Sequence, residues 1–159
     1  MELCTVRLKK RAKTALDRKT VRQLERIVSW ADARGLTINL TSTYSYQLGR
    51  DINVKNTSSL RTILFSLLHE LGHYLVGDTN ERFFRGYHSA GTPSVRKLFT
   101  HRVAVLDEEL EAWERGWKLA KRLNVKLDRR AFERQRARWI VTYCKFVVDK
   151  NMKLADYGT

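Results

Sequence analysis

Proline occurs once and glycine only eight times in the 159-residue chain. So few turn- and linker-forming residues argue against a flexible hinge, and the length suits one unit, so a single domain over residues 1–159 is expected. Cysteine is equally scarce. Cys4 and Cys144 are too few for a disulfide framework, and no spacing pairs them. Long apolar runs are missing as well. The longest, Ile63 to Leu68, is interrupted by Ser66 and falls far short of the roughly 20 residues that a membrane-spanning helix needs. The first residues, Met1 to Arg7, lack the apolar core of a signal peptide. These absences lead to the expectation of a cytoplasmic or equally reducing location with no membrane partner.

Acidic residues are also in deficit, 17 against 31 Lys and Arg, for a net charge of +14. The excess is uneven. Residues 1–34 hold ten basic against four acidic side chains, residues 35–114 hold eight against nine, and residues 115–150 hold twelve against three. Basic flanks on a nearly neutral middle attract polyanions, so nucleic acid or an acidic protein is an expected partner of the flanks. The hydrophobic share of 43%, with four Trp, six Tyr and six Phe, is that of a chain with a packed core.

The neutral middle carries the most informative stretch, Leu67-Leu68-His69-Glu70-Leu71-Gly72-His73-Tyr74-Leu75. Leu60, Ile63, Leu64, Leu67, Leu68, Leu71 and Leu75 form a wide apolar stripe, so this reads as a central helix. It is expected to start after Ser58 or Ser59 and to end at Gly77. His69 and His73 are four residues apart and share a face, so both imidazoles can reach one metal ion. Glu70 sits about 100° round the helix, offset from the metal yet able to take a proton from a water that the metal holds. Gly72 weakens the helix by roughly 1 kcal/mol relative to Ala, and a close-packed neighbour or a substrate would account for it.

Around this helix the spacing predicts further elements. Residues 3–8 read as a short strand. A helix capped by Thr20, with Gln23 completing a capping box, runs to Gly35, whose position suits the left-handed residue past a helix end. Leu36–Leu40 and Asp51–Lys55 alternate as strands do, with a turn at Gly49-Arg50. Residues 78–100 are irregular and aromatic, as a lid or substrate-contacting loop would be. Helical spacing returns from Arg96 to Leu123. Asp128 caps a last helix in which Phe132, Trp139, Ile140, Tyr143, Val147 and Val148 face inward and whose first half is rich in arginine.

A catalytic zinc requires a third protein ligand and an open fourth position. Position 79 is Thr and position 76 is Val, which excludes the extended three-histidine motif. His88 and His101 remain candidates, but the acidic cluster Asp107-Glu108-Glu109-Leu110-Glu111 is the better source. Glu109 shares a helix face with Val105, Ala112, Gly116 and Ala120, small residues that let another helix approach. Glu109 is therefore the expected ligand, with Glu108 in reserve. An oxyanion-stabilising group is also needed, and Tyr87, His88, His101 and Arg102 are candidates.

Through Leu68-His69-Glu70-Leu71-Gly72-His73-Tyr74-Leu75 and Glu109-Leu110-Glu111-Ala112 the chain resembles gluzincin-type zinc metallopeptidases, and most of all the ImmA/IrrE family of small bacterial and phage proteins. In that family a glutamate three residues before an alanine completes the metal site, a position that falls on Glu109. The family often continues with an Asn and a Phe-Ala pair, where this chain has Trp113 and Leu119-Ala120. The resemblance implies an α+β, minimal zincin-like domain, with a small β-sheet packed on the central H-E-x-x-H helix and a mainly helical C-terminal part. It also implies a Zn2+-dependent peptidase acting on a specific intracellular protein, with Glu70 as general base. Two other readings are a nucleic-acid-binding protein on a zincin scaffold and an SprT-like protease acting on DNA-associated proteins, which would need a histidine as third ligand.

Overall fold

The computed structural model describes residues 12–57, 59–79 and 99–149. Among them are four helices and three strands in an α+β arrangement: α1 (Ala15–Asp32), β1 (Thr37–Thr41), β2 (Tyr46–Leu48), β3 (Asp51–Lys55), α2 (Leu60–Thr79), α3 (Phe99–Arg122) and α4 (Arg129–Val148). None of these helices is long and apolar enough to cross a membrane. The strand expected at residues 3–8 lies outside the described residues, as does the stretch from 80 to 98.

α1 begins earlier than its apolar pattern suggests. Thr14, not Thr20, is the N-cap: its hydroxyl accepts from the Asp17 N–H, and the Asp17 carboxylate accepts from the Thr14 N–H. Thr20 lies inside the helix, where its hydroxyl donates to the Leu16 carbonyl. The first turn adds little core, since Leu16 is exposed, and local hydrogen bonding sets the boundary there. At the other end Gly35 adopts φ +67°, the left-handed geometry that lets the chain turn into β1. Val21, Leu24, Ile27 and Ala31 are buried.

The sheet has the order β1-β3-β2. β1 and β3 run parallel with Ile38 opposite Ile52 and Leu40 opposite Val54. β2, an element beyond the two expected strands, folds back antiparallel on β3, with Gln47 opposite Ile52. The turn expected at Gly49-Arg50 is there, with Gly49 at φ +57°. Ile38, Ile52 and Val54 turn into the core that α1 and α2 share.

α2 is the centre of the molecule, packed against α1, β2, β3 and α4 and most extensively against α3. Ser59 supplies its cap: the hydroxyl accepts from the Thr62 N–H and the carbonyl from the Ile63 N–H. The residues from Ile63 to Gly72 are all buried, so α2 is enclosed on nearly every side. It runs on to Thr79 instead of stopping at Gly77, which keeps a negative φ.

Two glycines allow α2 and α3 to touch backbone to backbone. A β-carbon at Gly116 would meet the Leu68 carbonyl oxygen at 2.3 Å, and Gly72 faces α3 in the same way. α3 is described from Phe99, the positions from Arg96 to Leu98 lying outside the described residues; it ends through Asn124 at φ 52° and is followed by the Asp128 cap of α4, whose carboxylate accepts from the Ala131 N–H. Gln23 and Arg26 of α1 donate to the Lys126 and Asn124 carbonyls, clamping this connection. On α4, Phe132 and Val147 are buried as the spacing implies, but Val148, the last helical residue, is 76% exposed.

Candidate metal centre

The close crossing of α2 and α3 brings together the residues that the motif singles out. His69 and His73 project from α2 toward α3, and Glu109 projects back from the small-residue face of α3. His69 Nε2 and His73 Nε2 lie 3.2 Å apart. Glu109 Oε2 is 3.1 Å from His69 Nε2, and Glu109 Oε1 is 3.4 Å from His73 Nε2. Two imidazoles and a carboxylate thus converge on one point, and among the described residues no other group of His, Cys, Asp or Glu does so.

The donor set fits a metal ion. Tetrahedral ligands at about 2.0–2.1 Å from zinc stand about 3.3–3.4 Å from one another, close to the three separations found here. Glu109 Oε2 is buried without a hydrogen-bond donor aimed at it, although His69 Nε2 is near. Lone pairs facing one another in this way require a cation or protons between them.

Electrostatics point the same way. Burial disfavours the charged form of His73, but the Glu109 carboxylate and hydrogen bonds to Glu108 and Glu109 outweigh it and lift the imidazole well above its ordinary 6.5. Burial likewise works against ionised Glu109, yet the two histidines hold its carboxyl far below the usual carboxylate range. Glu70 behaves differently. Buried on the next face of α2, it is pushed up, chiefly by loss of water, with the neighbouring histidines pulling the other way. That separates its chemistry from that of Glu109: one carboxylate held ionised among imidazoles, the other made more basic by its surroundings.

The surroundings hold the ligands in orientation. Glu108, the reserve ligand, lies instead behind His73, its Oε1 3.1 Å from His73 Nδ1. Trp113, one turn after Glu109, stacks on His69 with ring centroids 4.6 Å apart and planes 26° from parallel. His69 Nδ1 is buried with no hydrogen-bond partner among the described residues, so it is the indole face, backed by Phe132, that fixes this ring. Tyr143 of α4 lies near Glu109, and its phenol is pushed upward by burial and by the charges of Glu109, Glu70 and Glu108.

Sequence spacing singled out His69, Glu70, His73 and Glu109, and these do assemble. Trp113 and Tyr143 were legible only as apolar helix positions. The i, i+4 relation of Trp113 to Glu109 was the available signal for the first, and nothing but an inward-facing polar tip marked the second. Of the oxyanion candidates, Tyr87 and His88 lie outside the described residues. His101 is half-buried and does not join the cluster. The Arg102 guanidinium is committed elsewhere: buried, it donates to the Phe146 and Asp149 carbonyls and lies over the Phe146 ring, tying the start of α3 to the end of α4.

The site has one open side. His73 is half-buried, and a cavity of about 470 Å3 lies beside it, walled by Gln47, Leu48, Gly49, Arg50, Tyr74 and Gly77. The hairpin of β2 and β3 therefore forms one wall of the approach to the cluster. Comparison of the chain with protein-family models, with curated proteins and with solved structures finds no match.

Proposed function

We propose that the protein is a zinc-dependent peptidase of the gluzincin type, with a minimal zincin layout resembling that of the ImmA/IrrE family, acting on a specific intracellular protein. The observation that carries this reading is the convergence of His69, His73 and Glu109 within 3.1–3.4 Å of one another, with buried Glu70 on the adjoining face of the same helix.

His69, His73 and Glu109 would hold the ion, a nitrogen and oxygen set that suits zinc. When bound, zinc supplies Lewis acidity, polarising the scissile carbonyl and lowering the pKa of water toward about 7. The chain's own residues supply the rest. Glu70, made more basic by burial, takes the proton from the attacking water and delivers it to the leaving amine nitrogen. Glu108 and Trp113 hold the imidazoles of His73 and His69 in place. Substrate enters by the cavity beside His73. Leu48 there is 70% exposed on a strand at the edge of the described sheet, a geometry that suits an extended peptide.

Glu70 counts against a purely structural metal, which has no use for a carboxylate beside it. The place of Glu109 counts against an SprT-like site, which would need a third imidazole. Protein purified without added metal should contain about one equivalent of zinc, lost in His69→Ala. Glu70→Gln should keep the ion and lose at least a hundredfold in cleavage of a peptide library, the usual scale for a general base. A metal-free wild type, or undiminished cleavage by Glu70→Gln, would overturn the reading.

A further inference from the structure

A second cavity lies at the other end of α2. It measures about 130 Å3 and is lined by Arg61, Thr62, Phe65, Ala131, Arg134, Gln135 and Arg138. Arg61 and Thr62 sit in the first turn of α2. Arg134 and Arg138 are one turn apart on α4, so their side chains share a face. Three guanidinium groups therefore surround one small space, and no carboxylate lines it.

The charges there are not offset elsewhere. Other basic side chains of these helices have carboxylate partners: Arg115 with Glu111, Lys118 with Glu114, and Arg136 with Glu133 on α4 itself. Among the described residues no ion pair involves Arg61, Arg134 or Arg138. The first turn of α2 contains no acidic residue, so the positive end of the helix dipole adds to the field instead of being neutralised. Like charges gathered without a counter-charge repel one another, an arrangement that a bound anion relieves.

The lining also selects the kind of anion. Guanidinium forks match the oxygen geometry of phosphate and bind it bidentately. Thr62 and Gln135 add neutral donors, while buried Phe65 and Ala131 make an apolar floor that strengthens charge interactions. The three arginines are themselves exposed, so a phosphate on a long polymer can reach them. Arg134 and Arg138 lie on the segment 115–150, where twelve basic residues face three acidic ones.

We propose that this cleft binds a backbone phosphate of a nucleic acid. It anchors the strand roughly 12 Å along α2 from His69, eight residues at about 1.5 Å each. The inference stands apart from the peptidase reading, because no residue of the metal centre takes part. A nucleic-acid-bound protein would nonetheless be presented near that centre.

The test is binding of a short labelled DNA duplex across a salt series. A triple variant, Arg61→Gln, Arg134→Gln and Arg138→Gln, should bind at least tenfold more weakly, with a salt slope shallower by about one unit for the phosphate released. The control removes equal charge from exposed positions of α1: Arg18→Gln, Lys19→Gln and Arg22→Gln should weaken binding less. Arginine-to-lysine changes at the three cleft positions should keep the salt slope while losing part of the affinity, since charge remains and the fork does not. An RNA duplex competing with the DNA supports backbone recognition. Equal losses in the two glutamine triples would show diffuse charge alone and overturn the proposal, as would stronger competition by polyglutamate than by nucleic acid. Glu70→Gln and metal-stripped protein should bind the duplex like wild type, so failure of the peptidase reading would leave this result intact.

Discussion

Gly72 of α2 faces Ala112 of α3 so closely that a β-carbon at position 72 would lie 1.9 Å from the Ala112 carbonyl oxygen. Because the obstacle is backbone, no side-chain rotation can relieve it. Gly72→Ala should therefore destabilise the protein by about 1–3 kcal/mol or more, the range for overpacked cores, despite the roughly 1 kcal/mol that Ala gains in helix propensity. Gly116→Ala should behave alike. Urea denaturation decides the sign: a stabilised variant at either position would show that the helices do not cross this closely.

The same crossing places Glu109 beside His69 and His73. Glu109→Gln should lose the metal, whereas His101→Ala should keep it. Metal analysis of the two purified variants distinguishes them, and the reverse pattern would move the site toward a three-histidine centre.

Residues behind the ligands should act on affinity without abolishing binding. Glu108→Gln and Tyr143→Phe should each weaken zinc binding about 10–100-fold, the usual effect of removing a partner that orients a ligand, read by competition with a chromophoric chelator. Unchanged affinity in both variants would leave them no role in holding His73 and Glu109.

The metal-free centre should respond to pH in a defined window. Glu109 is held below its ordinary 4.5 in the fold, so its contribution to stability is complete above that value and is lost as pH falls through its depressed folded pKa. His73 is raised above 6.5, so its contribution is complete below that value and is lost as pH climbs through its raised folded pKa. The ion-pair contribution to metal-free stability is thus greatest between about 4.5 and 6.5. Zinc instead needs His73 deprotonated and competes with that proton. The gap in melting temperature between zinc-loaded and stripped protein should widen as pH rises from 6 toward 8. A gap that narrows over this range would contradict the assignment of His73 as a ligand.

How much of this could be read from the residues depended on how local each signal was. His69 and His73 are one turn apart, and Glu109 stood out by its small neighbours on one helix face. The cap at Asp128 and the left-handed Gly35 are likewise local patterns, and they hold. The start of α1 was misread because Val21 opens the apolar repeat, whereas the capping pair Thr14 and Asp17 acts before any residue becomes buried. β2 carried only a weak alternation, through Tyr44 and Tyr46; Tyr46 and Leu48 are exposed, and the strand exists through pairing with β3, which a linear pattern does not register. The contact of Glu108 with His73 Nδ1 was not legible, because spacing places a carboxylate on a helix face but does not say which imidazole nitrogen it meets. Trp113 against His69 and Tyr143 beside Glu109 are contacts between helices, set by the crossing of α2 and α3 and the return of α4.

The glycine crossing also bears on the chain between the two helices. α2 and α3 are held together by their own backbones near Gly72 and Gly116, so the described helices approach one another through contacts of their own. Loop-closure entropy grows only with the logarithm of length, about 0.6 kcal/mol for each doubling. A longer or shorter connection between two helices already in contact therefore changes the closure term only slightly. The geometry of the His69, His73 and Glu109 cluster is thus set by the crossing of two helices and not by the length of the chain that joins them.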